Sequence, residues 1–224
     1  MPNVMKKDIT AENLVKMELE YIEKQKYVPS IIDEFEGLVP ANHNDVLFFF
    51  MQKHINIQYR NLTNRLKHEL SKWQLTKFEM LMLLCYQGDL YELFDKGDPM
   101  KSPYPINEMC KALDTVLIKA PSCTEVPVVF RQHKSNNVLD FKKGETRTFE
   151  SYLTASINNW NQPRHQLIIT INKDKTNAKS LYRIRNDKGE FQVTFKRVTT
   201  FYIENIESFY DDGEKYRRIW MKEL

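Results

Sequence analysis

The fold class is decided at Val126–Arg131, which reads VPVVFR and is an apolar run that ends in a cation. Before residue 125, apolar side chains recur at the three- and four-residue spacing of helices. After it, they fall in short runs separated by turn residues. Helices followed by strands are typical of an α+β domain rather than of a sheet that alternates with helices. The sequence therefore predicts N-terminal helices followed by a β-sheet domain.

Helical signals fill the first part of the chain. Between residues 55 and 73, apolar side chains at alternating four- and three-residue steps form one helical stripe. Thr76–Glu79 is a capping-box pattern, which predicts the start of a second helix. Pro105 suits the first turn of a third helix. Further helices are predicted at residues 10–28 and 44–54.

Strand signals fill the second part, and turn residues such as Lys143-Gly144-Glu145 separate them. Predicted strands lie at residues 126–130, 165–171, 191–195, 199–206 and 216–221. We divide the chain into a helical N-terminal extension, residues 1–74, and a main domain, residues 75–224. The apolar stripes of the extension are expected to pack on the main domain, since they need a surface that buries them.

Several classes of protein are disfavoured by what the sequence lacks. No apolar run approaches the roughly 18 to 20 residues that span a bilayer, so no membrane association is expected. The cysteines, Cys85, Cys110 and Cys123, have no CxxC spacing, which indicates a reducing, cytoplasmic compartment and no metal. Glycine-rich phosphate loops, HExxH and GxSxG are also absent. If phosphates are bound, side chains such as arginine bind them.

Charge is distributed unevenly along the chain. Residues 1–125 carry 15 lysines and arginines against 18 acidic residues, whereas residues 126–224 carry 18 against 12. A basic segment attracts anions, either a nucleic acid or a dinucleotide pyrophosphate, although a solvated lysine surface explains the same excess.

Four stretches follow one another in a characteristic order: a capped helical run from Leu75 to Leu113, the strand that ends at Arg131, Phe149–Ser156, and Glu190–Ile203. Together they resemble the ADP-ribosyltransferase family of the arginine, Ser-Thr-Ser and Glu-x-Glu type. Thr-Ala-Ser stands here for Ser-Thr-Ser, similar to the relaxed forms in phage transferases of the Mod and Alt type. The resemblance covers residues 75–224. It implies a split β-sheet domain that binds NAD.

The resemblance also implies roles for particular residues. The family transfers ADP-ribose from NAD and releases nicotinamide through an oxocarbenium-like state. Arg131 would hold the pyrophosphate with its bidentate guanidinium. Thr154 or Ser156 would fix the catalytic strand or contact the ribose. The family's last glutamate, which stabilises the developing positive charge, corresponds to Gln192, and Glu190 takes the first carboxylate position.

Gln192 departs from the family pattern, because an amide keeps the shape of a carboxylate without its charge. Three interpretations are open. Gln192 is an introduced replacement of a catalytic glutamate, or the chain is a natural pseudoenzyme, or the alignment slips by two residues and Glu190 is catalytic. A two-residue slip preserves which face of a strand a residue occupies, so periodicity does not separate the last interpretation from the others.

Other residues are assigned from the same resemblance. Gln132 stands where glycine usually follows the arginine, in the nicotinamide carboxamide pocket. Trp160 either stacks on a ring or fills the core, and Asn158, Asn159 and Arg164 are its neighbours in a predicted nicotinamide wall. Residues 183–189, called here the acceptor loop, carry Arg183, Arg185 and Lys188. These cations suit an acidic acceptor, or simply face solvent.

The sequence thus predicts an NAD-dependent mono-ADP-ribosyltransferase, a toxin or phage effector that acts in a cytoplasm on a macromolecular acceptor, a protein in preference to a nucleic acid. Two alternatives remain. One is a non-catalytic module that uses the same fold to bind a protein or nucleic acid. The other is an NAD glycohydrolase, in which water replaces the acceptor.

Overall fold

A computed structural model of the chain describes residues 54, 57–58, 62, 67–88, 90–96, 100–102, 106–133, 140–160, 164–185 and 189–224. The chain divides into two compact units, residues 1–116 and 117–224. The helices predicted at residues 10–28 and 44–54 lie, apart from His54, outside the described residues, as does Pro105. The domain boundary after residue 74 stays a prediction.

The helices with described bounds are α1 (Lys67–Lys72), α2 (Lys77–Gln87), α3 (Tyr91–Lys96) and α4 (Ile106–Lys119). The capping box that opens α2 is confirmed. The Glu79 amide donates to the Thr76 hydroxyl at 3.1 Å, and the Thr76 amide donates to the Glu79 carboxylate at 2.7 Å. These bonds satisfy amides that the first helical turn leaves without a partner. In the described part of the chain, no helix combines the length and apolar character needed to cross a membrane.

The described strands are β1 (Val128–His133), β2 (Thr146–Phe149), β3 (Leu153–Ser156), β4 (His165–Thr170), β5 (Ala178–Ser180), β6 (Gln192–Phe195), β7 (Thr199–Asp211) and β8 (Glu214–Glu223). They form one mixed sheet in the order β2-β7-β8-β4-β1-β3-β6-β5. Strands β4 and β8 pair in parallel, and the other pairs are antiparallel. Helices followed by this sheet confirm the predicted α+β class.

The strand predictions hold with two corrections. The fourth family-like stretch does not run as a strand from Glu190, because β6 begins at Gln192. Val126 and Pro127 precede β1, which extends instead to His133. Strands β2 and β5 were not predicted. They are four and three residues long, which is too short for alternation to stand out.

The core of the second unit is built from alternate strand positions. Val193 and Phe195 of β6 are fully buried, and Leu153 and Ala155 of β3 are buried with them. Because side chains alternate between the faces of a strand, the residues between them occupy the opposite face. Thr154, Ser156, Gln192 and Thr194 therefore share one face of two paired strands.

Candidate active site

Three of the predicted site positions lie on neighbouring strands. Phe130 pairs with Ser156 across β1 and β3, and Ser156 pairs with Gln192 across β3 and β6. This row crosses three adjacent strands, and Arg131 lies one residue along from it. Strands are about 4.8 Å apart. Residues that are 61 positions apart in sequence, Arg131 and Gln192, are thus brought to about two strand spacings from each other.

The Ser156 hydroxyl joins two backbone segments at the start of β6. It donates to the carbonyl of Glu190 at 2.7 Å and accepts from the amide of Asn158 at 3.0 Å. The amide of Ile157 also donates to the carbonyl of Phe191 at 3.3 Å. Ser156 is 4% exposed, so these bonds are shielded from water. The hydroxyl therefore fixes the chain as it approaches Gln192.

Glu190 and Gln192 are not equivalent in the structure. Phe191, between them, has a φ of 47°, which lies in the left-handed region. This conformation interrupts strand alternation, so Glu190 lies outside β6 and is exposed. Gln192 is half-buried, faces Ser156, and donates its side-chain amide to the Thr194 hydroxyl at 3.4 Å. The sequence argument assumed that Glu190 and Gln192 lie on the same face of one regular strand. That assumption was wrong, because the strand is not regular at Phe191.

Arg131 bridges β1 and β3. Its Nη1 donates to the carbonyl of Thr154 at 2.8 Å, whereas its Nε is buried without a hydrogen-bond partner among the described residues. Arg131 pairs with Leu167 and alternates with core residue Val129, so its side chain leaves β1 on the core side. Arg131 and the Ser156 hydroxyl are close in sheet position but leave their strands on opposite faces.

The predicted nicotinamide wall follows β3. The Gln132 side-chain amide donates to the carbonyl of Trp160, which ties β1 to this segment. Trp160 is 44% exposed, so its indole is not part of the core. The side-chain amide of Asn158 reaches the carbonyl of Gly189 at 3.5 Å. Asn159 accepts a hydrogen bond from Gln166, and Arg164 is half-buried.

The acceptor loop is described at its two ends only. It follows the 3-10 helix Leu181–Arg183, in which Arg183 is exposed, and Arg185 is half-buried. Lys188 lies outside the described residues. Gly189, at the other end, has a φ of 67°, which glycine adopts without strain.

A group that the sequence analysis missed lies beside the acceptor loop. Glu125 accepts hydrogen bonds at Oε1 from the hydroxyls of Tyr182 and Ser180, the latter at 2.8 Å. The Tyr182 ring packs edge-on against Phe191, with centroids 5.8 Å apart. Partial burial raises the pKa of the Glu125 carboxyl, but the bonds from Tyr182, Ser180 and backbone amides outweigh it and lower that pKa. No sequence pattern links Glu125 to residues more than 50 positions away.

In the described residues, no histidine, cysteine and carboxylate side chains are grouped so as to hold a metal ion. Cys85, Cys110 and Cys123 are buried as free thiols.

No family model and no curated protein sequence matches the chain. Several solved protein structures are similar to it. The chain is similar to Plx2a, an ADP-ribosyltransferase toxin from Paenibacillus larvae, with 19% identity over 74% of this chain and 96% of that one, at a TM-score of 0.57. The fold is that of the ADP-ribosyltransferases.

Two further structures have the ADP-ribosyltransferase fold in common with this chain. The ADP-ribosylating toxin BECa of Clostridium perfringens, solved with NADH, is 16% identical over 73% of this chain and 48% of that one, at a TM-score of 0.56. The type III effector XopAI of Xanthomonas axonopodis pv. citri is 14% identical over 95% of this chain and 92% of that one, at a TM-score of 0.54. Identities this low establish the ADP-ribosyltransferase fold and leave residue roles to the geometry.

Proposed function

We propose that this chain is an NAD-binding mono-ADP-ribosyltransferase whose transfer reaction is held low by Gln192. The reaction would move ADP-ribose from NAD to a macromolecular acceptor and release nicotinamide. The observation that carries the proposal is the row Phe130–Ser156–Gln192 with Arg131 beside it, on three adjacent strands of an ADP-ribosyltransferase fold. The buried Ser156 hydroxyl and Gln192 share one face of the sheet, and Arg131 lies one residue along β1 with its side chain on the other face.

The assignment of Gln192 to the catalytic position rests on the start of β6. Gln192 is the first residue of the strand and pairs with Ser156, whereas Glu190 precedes a left-handed residue and is exposed. A group that stabilises positive charge on the ribose must be fixed in place before the charge develops. Gln192 meets this requirement in position and lacks only the charge, since its amide is neutral.

Arg131 fits the pyrophosphate of NAD. A buried donor without a partner costs about 1 to 3 kcal/mol, and Nε of Arg131 is such a donor among the described residues. A phosphate oxygen that accepts from this guanidinium would remove part of that cost. Arginine also binds phosphate through two parallel N–H groups, which fixes orientation as well as position. BECa, solved with NADH, is a protein of this fold that holds a dinucleotide.

The acceptor is proposed to be a protein in preference to a nucleic acid. Arg183 is exposed where the acceptor loop begins, and Arg185 follows two residues later. These two guanidinium groups suit a local acidic surface, whereas nucleic-acid binding calls for a longer basic stripe. Action in a cytoplasm, where NAD and protein acceptors are both available, completes the proposal. Plx2a and XopAI, a toxin and an effector, have this fold.

One observation supports a second candidate, a non-catalytic binding module. The Gln192 side-chain amide donates to the Thr194 hydroxyl, so glutamine is accommodated at this position by a neighbour that is itself fully buried. In this case the natural residue is glutamine, and the fold serves to bind a protein or nucleic acid. Hydrolysis of NAD, with water as acceptor, remains the alternative outcome for an active site with a carboxylate at this position.

The test compares the chain with its Gln192→Glu variant. Calorimetry measures NAD binding, chromatography measures nicotinamide release, and label from the adenine moiety reports transfer to proteins of a cell lysate. We expect both proteins to bind NAD, and Gln192→Glu to release nicotinamide at least about 100-fold faster, as groups that stabilise transition-state charge usually contribute. Gln74→Glu adds the same charge in the first unit and controls for net charge.

The remaining outcomes separate the alternatives. Equal activity in both proteins, abolished by Glu190→Gln, would assign catalysis to Glu190. Nicotinamide release without transfer would identify a glycohydrolase. If neither protein binds NAD, the enzyme proposal fails and the binding module replaces it.

A further inference from the structure

The acceptor loop is closed at its base by two aromatic residues. Tyr182 immediately precedes the loop and Phe191 follows it by two residues. Their rings meet edge-on at 5.8 Å with an interplanar angle of 61°. Such contacts contribute about 0.5 to 1.5 kcal/mol beyond the area they bury. The two ends of the loop are therefore joined through side chains as well as through backbone pairing.

This aromatic contact is itself anchored from another part of the chain. Glu125 lies before β1 and accepts from the Tyr182 hydroxyl and from the Ser180 hydroxyl with a single oxygen, Oε1. Its other oxygen accepts from the amide of Thr124 at 2.9 Å, which fixes the carboxylate orientation. Charged acceptors make hydrogen bonds roughly twice as strong as neutral ones. Glu125 thus fixes the Tyr182 ring against Phe191.

The strained backbone of Phe191 explains why such an anchor is needed. A non-glycine residue at a φ of 47° costs about 1 to 3 kcal/mol and persists only where its surroundings fix it. Phe191 is fixed by the amide of Ile157 on its carbonyl and by the Tyr182 ring on its side chain. Its conformation also sets where the next residue, Gln192, begins β6.

We propose that Glu125, Tyr182 and Phe191 form a loop-base clamp, in which Glu125 is a positioning residue that holds the acceptor loop and the catalytic position in register. Because the clamp lies at the base of the acceptor loop and immediately before Gln192, we expect it to govern the geometry of the reaction rather than the binding of NAD. The effect of the clamp on catalysis rests on the proposed function, whereas the existence of the clamp does not.

Hydrogen exchange of the unmodified chain and its variants tests the clamp directly. Tyr182→Phe keeps the ring and removes the hydroxyl that donates the hydrogen bond. Glu125→Gln removes the negative charge of the group that accepts it. We expect either change to speed amide exchange in residues 181–191 by about tenfold, as the loss of one hydrogen bond to a carboxylate would. Tyr216→Phe is the matched control, since Tyr216 donates to Glu214 at 2.7 Å on the exposed hairpin of β7 and β8. Equal exchange in Tyr182→Phe and Tyr216→Phe would overturn the clamp.

The positioning role is tested in the Gln192→Glu background. Tyr182→Phe and Glu125→Gln should lower kcat for nicotinamide release by about tenfold and leave KM for NAD within twofold, while Tyr216→Phe changes neither. Faster exchange with an unchanged kcat in an active parent would refute positioning. If the Gln192→Glu parent does not release nicotinamide, the proposed function fails on its own, and the exchange result still decides whether the clamp exists.

Discussion

The hydroxyl of Ser156 donates a 2.7 Å hydrogen bond to the backbone carbonyl of Glu190, 34 residues further along the chain. Ser156 ends β3, and Glu190 lies just before β6. A side chain on one strand therefore fixes the approach of the chain to its neighbour. This relationship explains why a hydroxyl at this position matters even if it never contacts the substrate.

Replacing Ser156 by alanine should test this role. Ser156→Ala leaves the Glu190 carbonyl and the Asn158 amide without their buried partner, so the free energy of unfolding should fall by about 1 to 3 kcal/mol. Urea denaturation measures the change. Ser208→Ala, at an exposed position of β7, is the control and should change stability by less than about 0.5 kcal/mol. Equal stability of the two variants would show that the Ser156 bonds contribute nothing net.

Removing the Arg131 guanidinium should weaken NAD binding. Hydrogen bonds to charged groups contribute about 1.5 to 3 kcal/mol, so Arg131→Ala should raise the Kd for NAD by roughly 10- to 100-fold. Arg131→Lys should recover only part of the affinity, because lysine has no bidentate fork. Calorimetry in the unmodified chain is sufficient, since binding does not require turnover. Arg147→Lys, on β2, provides a control, and an unchanged Kd in Arg131→Ala would remove Arg131 from the site.

The Glu125–Tyr182 bond should stabilise the fold over a defined pH range. Burial raises the pKa of the Glu125 carboxyl, but hydrogen bonds from Tyr182, Ser180 and backbone amides outweigh this effect and lower that pKa. The carboxylate therefore stabilises the fold above its unfolded pKa of about 4.5. This stabilisation is lost as pH falls through the lower folded pKa. Burial, and to a smaller extent the bond to Glu125, raises the pKa of Tyr182 to about 12. The Tyr182 hydroxyl therefore stabilises the fold below its unfolded pKa of about 10, and this stabilisation is lost as pH rises towards 12.

The pH range is measured by comparing the melting temperatures of the chain and Tyr182→Phe between pH 3 and pH 11. We expect a constant difference between roughly pH 5 and pH 9, and a smaller difference beyond either limit. Tyr216→Phe should show a smaller difference at every pH, because the hydrogen bond to Glu214 that raises the pKa of Tyr216 lies on an exposed hairpin. A difference for Tyr182→Phe that does not vary with pH would mean that the lost hydroxyl matters for packing alone.

Glu223 should be important for the stability of the second unit. Its carboxylate is 1% exposed and accepts from the amides of Asn172 and Asn177, at 3.0 and 2.6 Å, and from the Thr176 hydroxyl at 2.7 Å. Glu223→Gln turns one acceptor oxygen into a donor that faces other donors. The free energy of unfolding should fall by about 3 kcal/mol, measured by urea denaturation. Glu214→Gln, on the exposed hairpin, should change it little, and equal effects would contradict the role of Glu223.

Two kinds of local feature were predicted correctly where the structure describes them. The capping box at Thr76 and Glu79 was visible because a hydroxyl and a carboxylate three residues apart satisfy the same exposed amides wherever a helix begins. Strands β4, β7 and β8 were visible because each contains clustered apolar and aromatic residues bounded by turn residues. The short β2 and β5, and the left-handed Phe191 that excludes Glu190 from β6, left no such local signal.

The residues of the candidate site were singled out by their resemblance to a family. Arg131, Ser156 and Gln192 were singled out, and the structure places them on adjacent strands. Trp160 was left open between a stacking and a core residue, and it is exposed. Glu125 was missed, because its partners Ser180 and Tyr182 are brought to it only by the folding of residues 126–179.

The sequence by itself determined the order of helices and strands, the α+β class and the residue types available at each strand end. These properties follow from periodic burial and from hydrogen bonds within one turn, which act over a few residues. The tertiary structure decided that β1, β3 and β6 are neighbours, that Gln192 rather than Glu190 faces Ser156, and that Glu125 anchors Tyr182. These relationships join residues 26 to 57 positions apart, and they exist only once burial of a common core offsets the entropy of closing the chain between them.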